Sequence, residues 1–372
     1  MKLVVLGLSL SSSWGNGHAT TYRALLAAFA ARGHDIVFLE RDMPWYREQR
    51  DLIDPGYCRL SFYSSLDELR DWSGEIAAAD AVIVGSYVPD GILVGRFVQD
   101  VAEGVVAFYD IDTPVTIANL ERGSCDYLST DLIADYDLYL SFTGGPMLRA
   151  IEQRYGAPAA RALYCSVDPA AYPTLDLPKR WDLSYLGTYS PDRQPALDKL
   201  LIEPARQRPD LRFAVAGPQY PAAMTWPANV ERIDHLPPAD HAAFYNSSRY
   251  TLNVTRADMI AAGWSPSVRL FEAAATGTPI ISDVWPGIGT LLEPDSEIIL
   301  AERSERILRA LDQDHHDMGR AARARVLAQH SAAHRAAELE GHLAQAARPV
   351  RAVPHVLTDH IPSTTDAERT TA

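Results

Sequence analysis

Short apolar runs alternate with amphipathic segments twice along this chain, and the alternation breaks once, between Ser166 and Lys179. Parallel strands buried on both faces read as continuous apolar runs, and the helices that join them supply the intervening periodic segments. The first series predicts strands at 3–8, 35–39, 81–84, 105–109, 138–142 and 162–165. Helices are expected over 18–31, 91–101 and 146–155, with Gly33 and Gly156 as stops. The stretch 166–179 is rich in proline and lacks a periodic apolar face, which marks a domain boundary. A second series follows, with strands expected near 183–186, 212–216, 230–233, 250–254, 279–282 and 297–300, then successive helices over 303–347. The 372 residues exceed a single typical core. The expectation is an α/β protein with an N-terminal domain over 1–172, a C-terminal domain with its terminal helices over 173–347, and a loose tail over 348–372.

A net charge of −14 argues against nucleic acid or an anionic membrane as the main partner, since either would need a concentrated basic face. The three cysteines are far apart and show no metal-ligand spacing, so they read as reduced, buried thiols of a cytoplasmic protein. The apolar run at the start is too short to span a membrane and has no cleavage-site pattern, so it reads as a first core strand; no other stretch reads as a transmembrane segment.

Ser265 to Asp283 is the most specific segment for function. Ser265 is suited to cap a helix that begins at Pro266 and stops at Gly277, about eleven residues long. Arg269, Glu272 and Thr276 then share one face, opposite Val268, Phe271, Ala274 and Ala275. The first-turn N–H groups and the Ser265 and Ser267 hydroxyls suit a diphosphate, and Glu272 is placed to accept both hydroxyl hydrogens of a ribose. The same pattern also describes a capped, surface-facing helix with an Arg–Glu pair.

In the first domain, Gly15 and Gly17 sit in a flexible loop that feeds a helix beginning at His18, where their N–H groups can approach an anion. A dinucleotide loop with Glu40 as the ribose ligand is a rival reading; the long gap between strand and glycine, and Thr20 in place of a third glycine, count against it. Asp110 and Asp112 project to one side if their strand runs through both. One of them is expected to orient or charge-stabilise His18, or to meet an acceptor hydroxyl. Capping the next helix and holding a divalent metal are the competing uses.

The two-domain plan, the Gly-x-Gly-His loop, the Val167-Asp-Pro-Ala-Ala-Tyr-Pro173 linker and the Glu-bearing helix resemble glycosyltransferases of the GT-B fold, two Rossmann-like domains facing across a cleft. Phe108–Pro114, Asp182–Arg193, Leu252–Arg256 and Pro266–Glu272 are similar to the spore-maturation CgeB-like branch. The resemblance implies a nucleoside diphosphate sugar bound mainly by the second domain, an acceptor held by the first, and neither metal nor cofactor. It places Gly187, Thr188, Arg193 and Arg256 near the diphosphate, with Gly217 leaving room near the base. Trp264 stands where many retaining members carry a second acid. The function expected is metal-independent transfer of a hexose or deoxyhexose to an unknown acceptor hydroxyl, with His18 as the base of an inverting reaction. A nucleotide-sugar epimerase, a non-catalytic surface-assembly protein and an oxidoreductase are the alternatives.

Overall fold

The computed structural model describes residues 1–14 and 17–347, and its strands form two sheets. In the first, β1 (Lys2–Gly7), β2 (Asp35–Arg41), β3 (Arg59–Tyr63), β4 (Ala81–Gly85), β5 (Val105–Asp110), β6 (Leu138–Ser141) and β7 (Ala160–Ala162) lie in the order β3-β2-β1-β4-β5-β6-β7. In the second, β8 (Trp181–Leu186), β9 (Phe213–Ala216), β10 (Val230–Ile233), β11 (Ser248–Asn253), β12 (Ile280–Ser282) and β13 (Ile299–Leu300) lie in the order β10-β9-β8-β11-β12-β13. Every pairing of these strands is parallel.

The apolar runs form strands because both faces are covered. Val4 and Leu6 point into one core and Leu3 and Val5 into the other. Leu183 and Tyr185 are buried on one side of the second sheet, Ala214 and Ala216 on the other. Only β3 escapes the sequence pattern. It is an edge strand in which Tyr63 alone is buried, so it carries no continuous apolar run.

Strand order reverses beside β1 in the first sheet and beside β8 in the second. Crevices open at the carboxyl ends of parallel strands at such points. The loops after β1, β4 and β5 and those after β8 and β11 are therefore the ones placed to hold a ligand.

One boundary differs from the sequence expectation. The helix Ala332–Ala346 does not stay with the second sheet; its Ala336, Leu339 and Leu343 pack against Tyr22, Leu25, Leu26 and Phe29 of the His18–Ala30 helix. Burying two leucines there contributes about 3–6 kcal/mol, more than an exposed Arg32–Glu340 ion pair supplies. The chain thus crosses between domains twice, and the crossings touch where Ala332 N donates to Val167 O at 2.8 Å. The tail expected over 348–372 lies outside the described residues. Among those described, no helix is long and apolar enough to cross a membrane.

Candidate active site

A cavity of about 470 Å3 lies between the two sheets, walled by Gly17, His18, Tyr87 and Asp112 from the first domain and by Arg256 and Ser267 from the second. His18 opens its helix, and its imidazole packs edge-on against the Tyr87 ring, centroids 5.4 Å apart. Burial lowers the His18 pKa to about 4, and Nδ1 is buried without a protein partner among the described residues. The ring is therefore neutral near pH 7 and retains an unused polar atom.

Tyr87 connects His18 to a carboxylate. Its hydroxyl donates to Asp112 Oδ2 at 3.1 Å, and Arg256 reaches the same oxygen at 3.6 Å from across the cleft. Tyr87 has φ of 63° and Trp264 φ of 45°, both in the left-handed region that bulky residues rarely occupy. Tyr87 belongs to no motif, and its one signal in the sequence is its place just beyond the end of β4, where a loop faces the crevice.

Asp110 and Asp112 do not act as a pair. β5 ends at Asp110, so the chain turns between them and the shared side expected of a continuing strand is lost. Asp110 is fully buried, accepts from Thr116 Oγ1 at 2.7 Å, from Tyr139 and from Asp112 N, and has its pKa raised to about 6, chiefly by burial. It serves the interior of the first domain and is absent from the cavity wall. Asp112 occupies the N-cap position of the Thr113–Arg122 helix, yet its side chain makes no capping bond and turns to Tyr87 and Arg256. Neither carboxylate hydrogen-bonds His18. Among the described residues no group of three or more His, Cys, Asp or Glu could hold a metal ion.

Gly17 lines the cavity with φ of −82°, and a Cβ there would meet nothing within 4 Å, so the backbone does not demand glycine. Gly15 lies outside the described residues.

The helix expected from Ser265 runs over Val268–Thr276, nine residues. Its N-cap is Ser267, whose hydroxyl makes no capping bond and donates instead to Asn253 Oδ1 at 2.8 Å. The first-turn N–H groups are left without a side-chain cap. Ser265 is not available to phosphate: it is buried and accepts from Thr143 Oγ1 of the first domain at 2.9 Å. Beside it, Gly144 N donates to Trp264 O at 2.9 Å, and the Trp264 indole lies against Gly145 and Gly287, where a Cβ on either would collide with it. Residues 264–265 thus fasten the two domains together, and Trp264 is a wall of the joint.

The helix is also not half core and half chemistry, since every residue from Leu270 to Thr276 is buried. Glu272 accepts from Tyr172 at 2.7 Å on Oε1 and from Tyr245 at 3.1 Å on Oε2. Burial, then the Glu272 charge, hold both phenols well above their usual range, so they stay protonated as donors. Each carboxylate oxygen keeps one further lone pair.

Three guanidinium groups converge at the strand ends of the second domain. Arg269 donates to Leu186 O and, at 3.1 Å, to Asn253 Oδ1. Arg193 donates to Thr188 O at 2.7 Å, while its Nε is buried without a partner among the described residues. Burial, followed by the nearby charges of Arg269 and Arg256, lowers the Arg193 pKa. Like charges gathered with an orphaned donor are suited to an anion.

Gly217 packs against Gly187 in place of the room near a base expected of it. Gly217 has φ of +133°, and a Cβ there would strike the Gly187 carbonyl. The space it leaves is filled by backbone, which lets the ends of β8 and β9 approach. Gly217→Ala should cost about 1–3 kcal/mol, read as a lowered urea midpoint. An unchanged midpoint would show that the two ends need not touch.

Residues 193–341 match the family model described as Glycosyl transferase-like. No curated protein sequence matches the chain. Among solved structures, sucrose-phosphate synthase from Thermosynechococcus elongatus is similar, with TM-score 0.69 and 15% identity over 93% of this chain and 99% of that one. Anabaena HepE in complex with UDP has TM-score 0.69 and 12% identity over 93% and 100% of the two chains. An alpha-glucosyltransferase in complex with UDP has TM-score 0.68 and 12% identity over 92% and 100%. At such identities the likeness establishes the fold: two Rossmann-like domains across a cleft, the GT-B architecture.

Proposed function

We propose that the protein transfers a hexose or deoxyhexose from a nucleoside diphosphate sugar, without a metal, to an acceptor hydroxyl. The observation that carries this reading is the convergence of Arg193, Arg256 and Arg269 beside the uncapped first turn at Ser267, opposite His18 and Asp112. UDP occupies HepE and the alpha-glucosyltransferase in their structures, and UDP-glucose occupies a further HepE structure, which makes a uridine nucleotide the first donor to test. The order of motifs from Phe108 to Glu272 supports a place in the CgeB-like branch.

In the reaction, the bond from the anomeric carbon to the diphosphate breaks and the electron pair leaves with phosphate oxygen. The arginines and helix N–H groups neutralise that charge as a metal ion does elsewhere. The acceptor oxygen bonds to the anomeric carbon and loses its proton to neutral His18, giving inversion. Asp112, held between Tyr87 and Arg256, sets the field beside the imidazole and orients the acceptor. Glu272 takes the ribose hydroxyls on its remaining lone pairs.

His18→Ala should reduce transfer about 10²–10⁴-fold while the thermal stabilisation by UDP is unchanged. With the His18 pKa near 4, transfer by the native protein should hold steady from pH 8 to 6 and fall below about pH 5 as the base is protonated. Full transfer by His18→Ala rejects the base assignment. If UDP, GDP, dTDP and their sugars all fail to raise the unfolding midpoint, the donor reading fails.

A further inference from the structure

A second concavity, about 800 Å3, lies at the amino ends of β11 and β12, the opposite end of these strands from the cavity between the sheets. It is bounded by the linker near Leu175 and Lys179, the start of β11 at Arg249 and Tyr250, the last turn of the Val268–Thr276 helix, and Arg323. Its wall carries Lys179, Arg249, Arg320 and Arg323 against Asp176 and Asp314, an excess of positive charge within a chain of net charge −14.

Two of these cations are already committed. Arg249 donates to Asp182 at 2.8 Å and to Leu311 O at 3.1 Å, and Arg320 pairs with Asp317 on the surface. The other two pair with no carboxylate among the described residues. Arg323 uses only Nε, on Ala275 O at 3.0 Å, which leaves its terminal nitrogens without a protein partner among the described residues. Lys179 bonds Asn246 O at 2.7 Å and Ser248 O at 3.1 Å, keeps a third N–H, and has its pKa lowered by burial. The His316 ring joins the same wall without a side-chain partner among the described residues. Leu175, Tyr250 and Pro279 give the concavity an apolar floor.

We propose that this concavity is a second ligand site, distinct from the donor cleft, for a small phosphomonoester. Two cations without a carboxylate partner match a dianionic phosphate, whose several oxygens serve the Arg323 fork, the remaining Lys179 N–H and His316 together. The apolar floor takes the organic part of the ester. The site also ends on the elements that build the donor cleft: the helix that begins beside Ser267 finishes here, and β11 begins here and ends at Asn253, which holds Arg269. A ligand here bears on the far ends of the elements that set the donor arginines.

Thermal unfolding of the full chain with phenyl phosphate, glycerol 3-phosphate or inorganic phosphate tests this. The expected result is a saturating rise in midpoint with phenyl phosphate, reached at lower concentration than with inorganic phosphate. The half-saturating concentration should rise at least about tenfold in Arg323→Gln and in Lys179→Gln, each compared with its own ligand-free midpoint, and stay unchanged in Arg269→Ala. No shift with any ester, a shift insensitive to Arg323 and Lys179, or one abolished by Arg269→Ala would overturn the site. Equal potency of inorganic phosphate would overturn the ester assignment.

Discussion

Arg269→Ala should lower kcat/KM for a nucleotide-sugar donor about 10²–10³-fold, the usual effect of removing one group that neutralises a leaving anion. Arg269 stands in the first turn of its helix, is held by Leu186 O and Asn253, and is one of the two charges that depress Arg193. Its loss therefore removes a positive charge and frees Arg193 from repulsion, without filling the anion site. The affinity for UDP should fall while that for uridine stays the same, because only the diphosphate meets the guanidinium. Arg269→Lys should recover a small part, since an ammonium restores charge but not the planar fork. Calorimetric titration with the two ligands decides the matter: equal weakening of UDP and uridine would move Arg269 away from the diphosphate.

Glu272→Ala should act first on stability. The substitution leaves the buried Tyr245 hydroxyl without its acceptor, at about 1–3 kcal/mol, and leaves Tyr172 only the 3.3 Å contact with His241 Nδ1. Glu272→Gln keeps the shape and one good acceptor, so it should fold with a smaller loss. In that folded variant the preference for UDP over 2′-deoxy-UDP should shrink about tenfold, because the amide nitrogen cannot accept a ribose hydroxyl. A preference equal to that of the native protein would confine Glu272 to anchoring the linker tyrosine and the Pro238–Asn246 helix.

The paired sheets were legible because a strand buried on both faces must be an apolar run, and twelve such runs had the right spacing to alternate with helices. β3 was not, since an edge strand with one buried residue carries no such run. The last helix read correctly as a helix, but nothing in its own pattern says which domain its apolar face will meet. At the site, the family resemblance singled out Arg193 and Arg256, while residue types and their positions singled out Arg269, His18 and Asp112. They failed for Ser265 and Asp110, whose partners Thr143 and Tyr139 come from elsewhere in the fold. Hydroxyls and carboxylates look alike in sequence whether they face a ligand or a neighbour. Gly217 shows the same limit: the need for glycine was visible, but what fills the vacated space was not.

The return of the Ala332–Ala346 helix means that the first domain is not one continuous stretch of chain, and that the second is inserted within it. A fragment ending near residue 179 would expose the face of Tyr22, Leu25 and Phe29 that this helix covers, and should aggregate. Exchanging the second domain with that of another protein of this architecture therefore means replacing an internal segment, roughly 180–330, while both flanks stay native. The two crossing points lie side by side at Val167 and Ser331, so such a segment leaves and rejoins its host at one place. A segment inserted there is held by two adjacent tethers and must also reproduce the contacts that residues 264–265 make with Thr143, Gly144 and Gly145.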